Sequence, residues 1–405
     1  MAEKPFRRRV LYSPGYDPFH PRRYRELYRR EGAEQARLSG YDLAQEKGDG
    51  PYAWRVTSEQ EGRRVEAEVE VLVWSDIVSG SMDASIPATY AQLVRTAWAY
   101  IGSGALFRLM RLRAGPVIAA LYPIGFLLLQ LLLAVLVAVA LAASGGWIAG
   151  TAGRIAGGAL GALAGWGVLR WFKRRDNRFY AHYLMHDYAF TARWDGAYPE
   201  ALEDRLEAFG ARVRAALEED WDEVLVVGHS SGAHLAISIL ADLIRDGLRP
   251  RGRLSLLTLG QVVPMVSFLP GAHRLRADLR VMGGQDAVPW LDVTAPGDGC
   301  AFALCDPVAV SGVAPPNQTG PLILSAAFTK TLSAAKQAAL RRRYFRLHFQ
   351  YLCAFDALPG RADDYDYFRI TAGPLTLAAR YAGRAPSPSR LTAPVNRHTS
   401  LAKAA

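Results

Sequence analysis

The chain has 405 residues, half of them hydrophobic, and carries a formal charge of +10 from 48 Lys and Arg against 38 Asp and Glu. That is long enough for one large domain or two smaller ones with a sizeable core. Three cysteines, Cys300, Cys305 and Cys353, exclude a disulfide framework and fit a reducing compartment; none has a C-x-x-C spacing, and small buried apolar residues account for them better than a metal site does. The excess positive charge sits in clusters such as Arg7-Arg8-Arg9 and Lys173-Arg174-Arg175. Such clusters suit nucleic acid or an anionic membrane surface. No nucleic-acid-binding motif accompanies them, and the apolar run described below gives an independent reason to choose the membrane.

The first residues carry basic groups but no apolar h-region, so nothing there predicts export of the N-terminal part. "RRRVLYSPGYDP" predicts a short strand ending in a Pro-Gly turn, and "PRRYRELYRREGAEQARL" an Arg-rich helix. "RRVEAEVEVLVWSDIV" alternates and then turns apolar, as a strand does on entering a core. Strand, helix, strand is a βαβ beginning with implied parallel strands.

An interruption follows. From Gly115 to Ala143 there is no charged side chain, and Gln130 is the only strongly polar one. A bilayer core needs about 20 apolar residues in a helix, so this run predicts a span. After Ser144-Gly145-Gly146 a second segment runs from Trp147 to about Leu169, with Gly153, Gly157, Gly161 and Gly165 recurring on one helix face, where backbones can approach closely or a second copy can pack. Arg154 lies inside it and must snorkel, pair or mark shallower insertion. Arg108, Arg111 and Arg113 precede the first span and Arg170, Lys173, Arg174 and Arg175 follow the second, while the connecting turn is uncharged. The positive-inside rule then predicts a hairpin with both ends cytoplasmic.

Beyond it, "YPEALEDRLEAFGARVRAALEED" predicts an amphipathic helix through Leu202, Leu206, Phe209, Val213 and Leu217. "EVLVVGHS" predicts a strand, "SGAHLAISILADLIRDGL" a helix, and "RLSLLTLGQVV" and "PWLDVTAPGD" two more strands. "RRYFRLHFQYL" reads as a last strand ending near His348, and "YDYFRITAGPLTLAARYA" as a terminal helix. The tail from Arg384 reads as disordered. The expected units are residues 1–113 and 173–383, the two parts of one catalytic domain, the insertion at 114–172, and the tail at 384–405.

Gly228-His229-Ser230-Ser231-Gly232 matches G-x-S-x-G, a strand-to-helix elbow that exposes a nucleophile. Small flanking residues permit so tight a turn. The helix start supplies free N–H groups, so the Ser231 amide is a candidate oxyanion donor. A serine needs a base, and the base an orienting acid, in the chain order Ser, Asp or Glu, His. Of the later histidines, His234 lies along the elbow helix, His273 is out of order and His398 is in the tail, which leaves His348. Asp298, in a Pro-Gly turn after its strand, is the first choice of acid and Asp306 the second; Asp292 lies inside the strand and Asp286 before it. Gly15 in "YSPGYDP" allows close approach, and the N–H of Tyr16 or Asp17 is the candidate second oxyanion donor. His182 and His186, four apart beside Asp187, share a helix face, but no third ligand is evident and no metal is expected.

On "VLVVGHSSGAHLA", "SLLTLGQ" and "RLHFQYL" the chain resembles the α/β-hydrolase superfamily, and more narrowly bacterial membrane-associated lipase-like serine hydrolases. The resemblance implies an α/β fold with a mostly parallel sheet and helices on both faces, here interrupted by a two-helix transmembrane hairpin. It implies a Ser-His-Asp serine esterase without cofactor, acting on ester or lipid substrates at the bacterial inner membrane. "SPGYDP" stands where such proteins usually have a His-Gly pair. A membrane-tethered binding or scaffold protein on a hydrolase fold is the alternative.

Overall fold

The computed structural model describes residues 4–82, 85–250 and 252–402. Eight strands form one sheet: β1 (Phe6–Ser13), β2 (Asp42–Lys47), β3 (Ala53–Gln60), β4 (Arg63–Val71), β5 (Glu223–His229), β6 (Leu254–Leu259), β7 (Trp290–Thr294) and β8 (Leu322–Ser325). Their order is β2-β3-β4-β1-β5-β6-β7-β8. β4, β1 and β5 to β8 pair in parallel, whereas β2, β3 and β4 form an antiparallel edge.

The apolar strands are continuous because both faces are covered. Val224 and Val226 point to one face, against helices Glu200–Glu218 and Gly232–Arg245; Leu225 and Val227 point to the other, with Tyr24 and Tyr28 of helix Arg22–Ser39 and the C-terminal Tyr351, Phe355 and Phe368. Side chains alternate across a strand, so one sequence run feeds both layers.

The Arg7-Arg8-Arg9 cluster is not a free basic patch. Arg8 is fully buried and its Nε donates to Glu223 at 2.8 Å across the β1–β5 pair, while Arg9 pairs with Glu68 and Glu70. Glu223 also accepts from Ser255 Oγ at 2.8 Å and from the Leu377 N–H at 2.7 Å, which ties the C-terminal layer to the sheet. Removing one partner of a buried pair strands the other charge and costs about 3–5 kcal/mol. Glu223→Ala should therefore lower the thermal unfolding midpoint of the detergent-solubilised chain markedly. Arg8→Met combined with Glu223→Met should cost much less than the sum of the two single changes.

Residues Ala114–Arg174 form a single helical element, the one helix among the described residues long and apolar enough to cross a membrane; only 17% of its most apolar stretch is buried. Two helices parted near Ser144–Gly146 were expected. Instead helical geometry fails once, at Ala149 and Gly150, where Gly150 has φ of 61°. The element then doubles back. A Cβ on Gly161 would lie 2.6 Å from the carbonyl oxygen of Ala138, and one on Gly165 2.8 Å from that of Ala134. Gly153 and Gly157 likewise abut Gly145 and Leu141. The glycine face expected to be open to a second copy is thus occupied by the chain's own first arm. Arg154 stands just past the bend, beside Gly146.

Other expectations fail for local reasons. β2 and β3 were not anticipated, because DLAQEK and AWRVTSEQ form a half-exposed edge with few apolar residues. β8 is only four residues long. "RRYFRLHFQYL" is no strand: Tyr344–His348 is a short helix and Gln350–Leu352 a 3-10 turn, packed over the carboxyl ends of the strands rather than joined to the sheet. The terminal helix is two short ones, Tyr367–Ala372 and Leu377–Arg380. Among its described residues the tail contains no helix, but it is not loose. The Ser387 N–H donates to Ile323 O at 2.8 Å, Asn396 Nδ2 to Ser267 O at 3.0 Å, and Leu391 bridges Cys305.

Candidate active site

β1 lies at the middle of the sheet. The chain leaves it for the β2-β3-β4 edge on one side, which ends at β4 beside it, and later returns to β5 on the other. The carboxyl ends of β1 and β5 therefore flank a crevice, the place where open α/β sheets hold ligands. The loop after β1 contains Gly15 and Tyr16, and the loop after β5 contains Ser230 and Ser231.

Ser230 has φ of 57°, a left-handed conformation that a side-chain-bearing residue adopts at a cost. The glycines beside it are sterically required. A Cβ on Gly228 would come within 2.6 Å of the Ala233 Cα, and one on Gly232 would overlap the carbonyl oxygens of Ser13 and Pro14. The Ser230 N–H donates to Leu259 O at 2.9 Å, which anchors the turn to the neighbouring strand.

Gly15 faces the elbow directly. Its Cβ, were it present, would lie 2.9 Å from the Ser230 Cβ and 3.4 Å from Oγ. Neither the Tyr16 nor the Ser231 N–H donates to a protein group among the described residues. The Tyr16 carbonyl accepts from the Tyr183 hydroxyl, which fixes the turn from above. Asp17 is committed to its own loop: it accepts from the Phe19 N–H at 2.9 Å and pairs with Arg23 at 3.2 Å.

His348 and Asp298 are both buried and meet at 2.7 Å, Nδ1 to Oδ2. Asp298 also accepts from the Tyr351 hydroxyl at 3.0 Å and from the Cys300 N–H at 2.9 Å. Burial alone would raise its pKa, but the adjoining imidazole, the Cys300 N–H and the Tyr351 hydroxyl hold it below the usual carboxylate range. His348 has its carbonyl pinned by His229, whose Nε2–H donates to it at 3.0 Å; burial pushes the His229 pKa down to about 3, which keeps that ring neutral.

Ser230, Ser231, Gly15, Tyr16 and His348 line one cavity of about 90 Å³. A wider groove of about 970 Å³ adjoins it, sharing Asp17, Tyr183, Phe345 and Phe349. The roof of the cavity is helix Ala181–Ala192, which follows the long apolar element and presents Leu184, Asp187, Tyr188 and Thr191 downward. Its opposite face packs Ala181, Met185 and Ala189 against Leu93 and Leu127.

The second-choice acid is elsewhere. Asp306 caps helix Pro307–Val310 through the N–H groups of Val308 and Ala309 and accepts from Gln318 at 2.7 Å. Asp292 is buried within β7, where Thr258 donates to it at 2.6 Å and burial pushes its pKa up to about 8. His234 is engaged by the Tyr198 hydroxyl at 2.8 Å, and His398 contacts Ser103 O. His186 bonds Gln92 at 2.8 Å, and neither ring nitrogen of His182 has a partner among the described residues. The one compact His/Cys/carboxylate cluster among the described residues is Asp298, Cys300 and His348. There the imidazole Nδ1 is already taken by the carboxylate, and burial pushes the Cys300 thiol pKa up, away from the thiolate a metal would need. Tyr351 carries no motif by which the sequence could reveal it; His229 occupies a variable position of the elbow motif, and Asp187 stands out only as the neighbour of His182 and His186.

Residues 169–294 match the family described as Lipase (class 3). No curated protein and no solved structure matches the chain. The matched stretch runs from the end of the long helix through the elbow to β7 and stops before Asp298 and His348. Together with the mostly parallel sheet covered on both faces, it supports a lipase-like hydrolase of the α/β-hydrolase superfamily.

Proposed function

We propose that this lipase-like α/β hydrolase is a membrane-anchored serine hydrolase that cleaves carboxylic esters through Ser230, His348 and Asp298. The observation that carries the reading is one cavity lined by an elbow serine in a left-handed turn and by a histidine whose far nitrogen is held by a buried carboxylate.

Ser230 Oγ attacks the ester carbonyl as His348 Nε2 removes its proton. Asp298, fixed on Nδ1, selects the tautomer that leaves Nε2 free to accept and stabilises the imidazolium that forms. The tetrahedral oxyanion is received by the Ser231 N–H and by the turn at Gly15-Tyr16, two backbone donors without protein partners. The imidazolium then protonates the leaving alcohol. Water, deprotonated by the same ring, releases the acid and restores Ser230.

Lipid substrates are favoured by position. The long apolar element leads through the short helix Asp176–Phe179 to the helix that roofs the cavity, and Tyr122, Phe126, Phe172 and Phe179 cluster where its arms meet the body, as aromatic side chains do at a membrane interface. In this reading the element enters the bacterial inner membrane as a hairpin, bent at Ala149–Gly150, with the cationic ends and the hydrolase body cytoplasmic. The adjoining groove, with Phe19, Leu27 and Phe349 beside Arg23 and Arg346, suits an amphiphile. The test is turnover of short-chain p-nitrophenyl esters by the full chain in detergent. Hydrolysis lost in Ser230→Ala is the expected result. No turnover, or turnover unchanged by the substitution, would favour a membrane-tethered binding protein instead.

A further inference from the structure

The catalytic scheme leaves a second carboxyl near the nucleophile, that of Asp187, unused. Asp187 lies on the roof helix Ala181–Ala192 and lines the same cavity as Ser230 and His348. Among the described residues it makes no hydrogen bond or ion pair. The titratable groups close enough to interact with it electrostatically are Tyr16 from the loop after β1, Tyr100 from helix Ile86–Gly102, Tyr183 and Tyr188 from its own helix, and Cys300 and His348 from later segments. No lysine or arginine lines the cavity. The wall around it is largely apolar, including Pro116, Leu184, Val262 and Met265. A polar group in such a wall costs free energy unless something hydrogen-bonds it.

We propose that Asp187 is a substrate-contacting residue that selects esters whose alcohol part carries a free hydroxyl next to the scissile bond, as in a monoacylglycerol, over plain alkyl esters. This rests on the serine-hydrolase reading above. Asp187 shares the cavity with His348, which delivers its proton to the leaving alcohol, and in this proposal the carboxyl stands beside that leaving group. A hydroxyl there satisfies the carboxyl in either direction: the acid donates to it, or accepts from it. Burial pushes the Asp187 pKa up to about 7, opposed only in part by His348, so the neutral acid, which can donate as well as accept, is a substantial fraction at neutral pH and dominates below it. An alkyl alcohol in the same place leaves the carboxyl unpaired. Sites built to hydrogen-bond a substrate hydroxyl reject the analogue that lacks it.

The test compares kcat/KM for glycerol monobutyrate and ethyl butyrate, which share the acyl group and differ in the alcohol. Measurements use the full chain in detergent, with fluorophosphonate labelling of Ser230 checked in each variant. Asp187→Leu should lower the monobutyrate-to-ethyl ratio by about tenfold or more. Asp187→Ala, which cannot crowd the cavity, should show the same fall. Asp187→Asn keeps a donor and an acceptor and should hold the ratio within about threefold. A ratio unchanged in Asp187→Leu and Asp187→Ala, with Ser230 still labelled, would overturn the inference and leave the hydrolase reading standing. Absence of labelling in the unsubstituted chain would overturn the hydrolase reading itself.

Discussion

His348→Ala is expected to lower kcat for ester hydrolysis by a factor on the order of 10⁵–10⁶. Without the imidazole, Ser230 must lose its proton to water, and the leaving alcohol must depart without a proton donor. The substitution should leave the fold intact. The His348 ring packs beside Gly260, Tyr351 and His229, and the backbone carbonyl to which His229 donates is retained. Stopped or steady-state hydrolysis at matched enzyme concentration checks this, with circular dichroism as the fold control. A loss smaller than about tenfold would mean that another group deprotonates the serine.

Asp298→Asn is expected to reduce kcat by about 10³–10⁴-fold with little change in KM. The amide keeps the shape of the carboxylate, and the Cys300 N–H, which bonds the other oxygen, retains its acceptor. What changes is the bond to His348 Nδ1, at 2.7 Å in the native chain. An amide nitrogen there donates to Nδ1, places the ring proton on Nε2 and removes the acceptor the serine needs. The charge that would stabilise the imidazolium is lost as well. Asp306→Ala provides the contrast. It removes a helix cap far from the imidazole, so it should cost about 1 kcal/mol of stability and leave kcat within about twofold. Kinetics that reversed the two positions would reassign the acid.

The elbow was legible because its geometry constrains residue type. A left-handed Ser230, with backbone approaching Gly228 and Gly232 within contact distance, admits few sequences, and the strand before it and the helix after it are strongly patterned. Gly15 was legible for the same reason, since a side chain there would meet Ser230. Chain order narrowed the base and the acid, and the expected strand end and Pro-Gly turn then favoured Asp298 over Asp306. His348 was expected at a strand end and sits on a short helix instead. Phe345, Leu347 and Phe349 alternate in RRYFRLHFQ and mimic strand periodicity, but the run covers the carboxyl ends of the strands rather than extending the sheet. Asp187 was out of reach because its surroundings come from several separate segments, none of which signals the others. The same holds for Tyr351, which gains its meaning only when it reaches Asp298. In the long apolar element, composition located the turn to within a few residues. The bend falls at Ala149–Gly150 because Gly150 can adopt a positive φ, and three earlier small residues compete for that role on composition alone.

The most direct test is to treat the full chain with a biotinylated fluorophosphonate, digest it and map the adduct by mass spectrometry. The account predicts a single phosphonylated site on the peptide containing Ser230, formed much more slowly in His348→Ala and absent in Ser230→Ala. An adduct on another serine, or none on a folded chain, would contradict it.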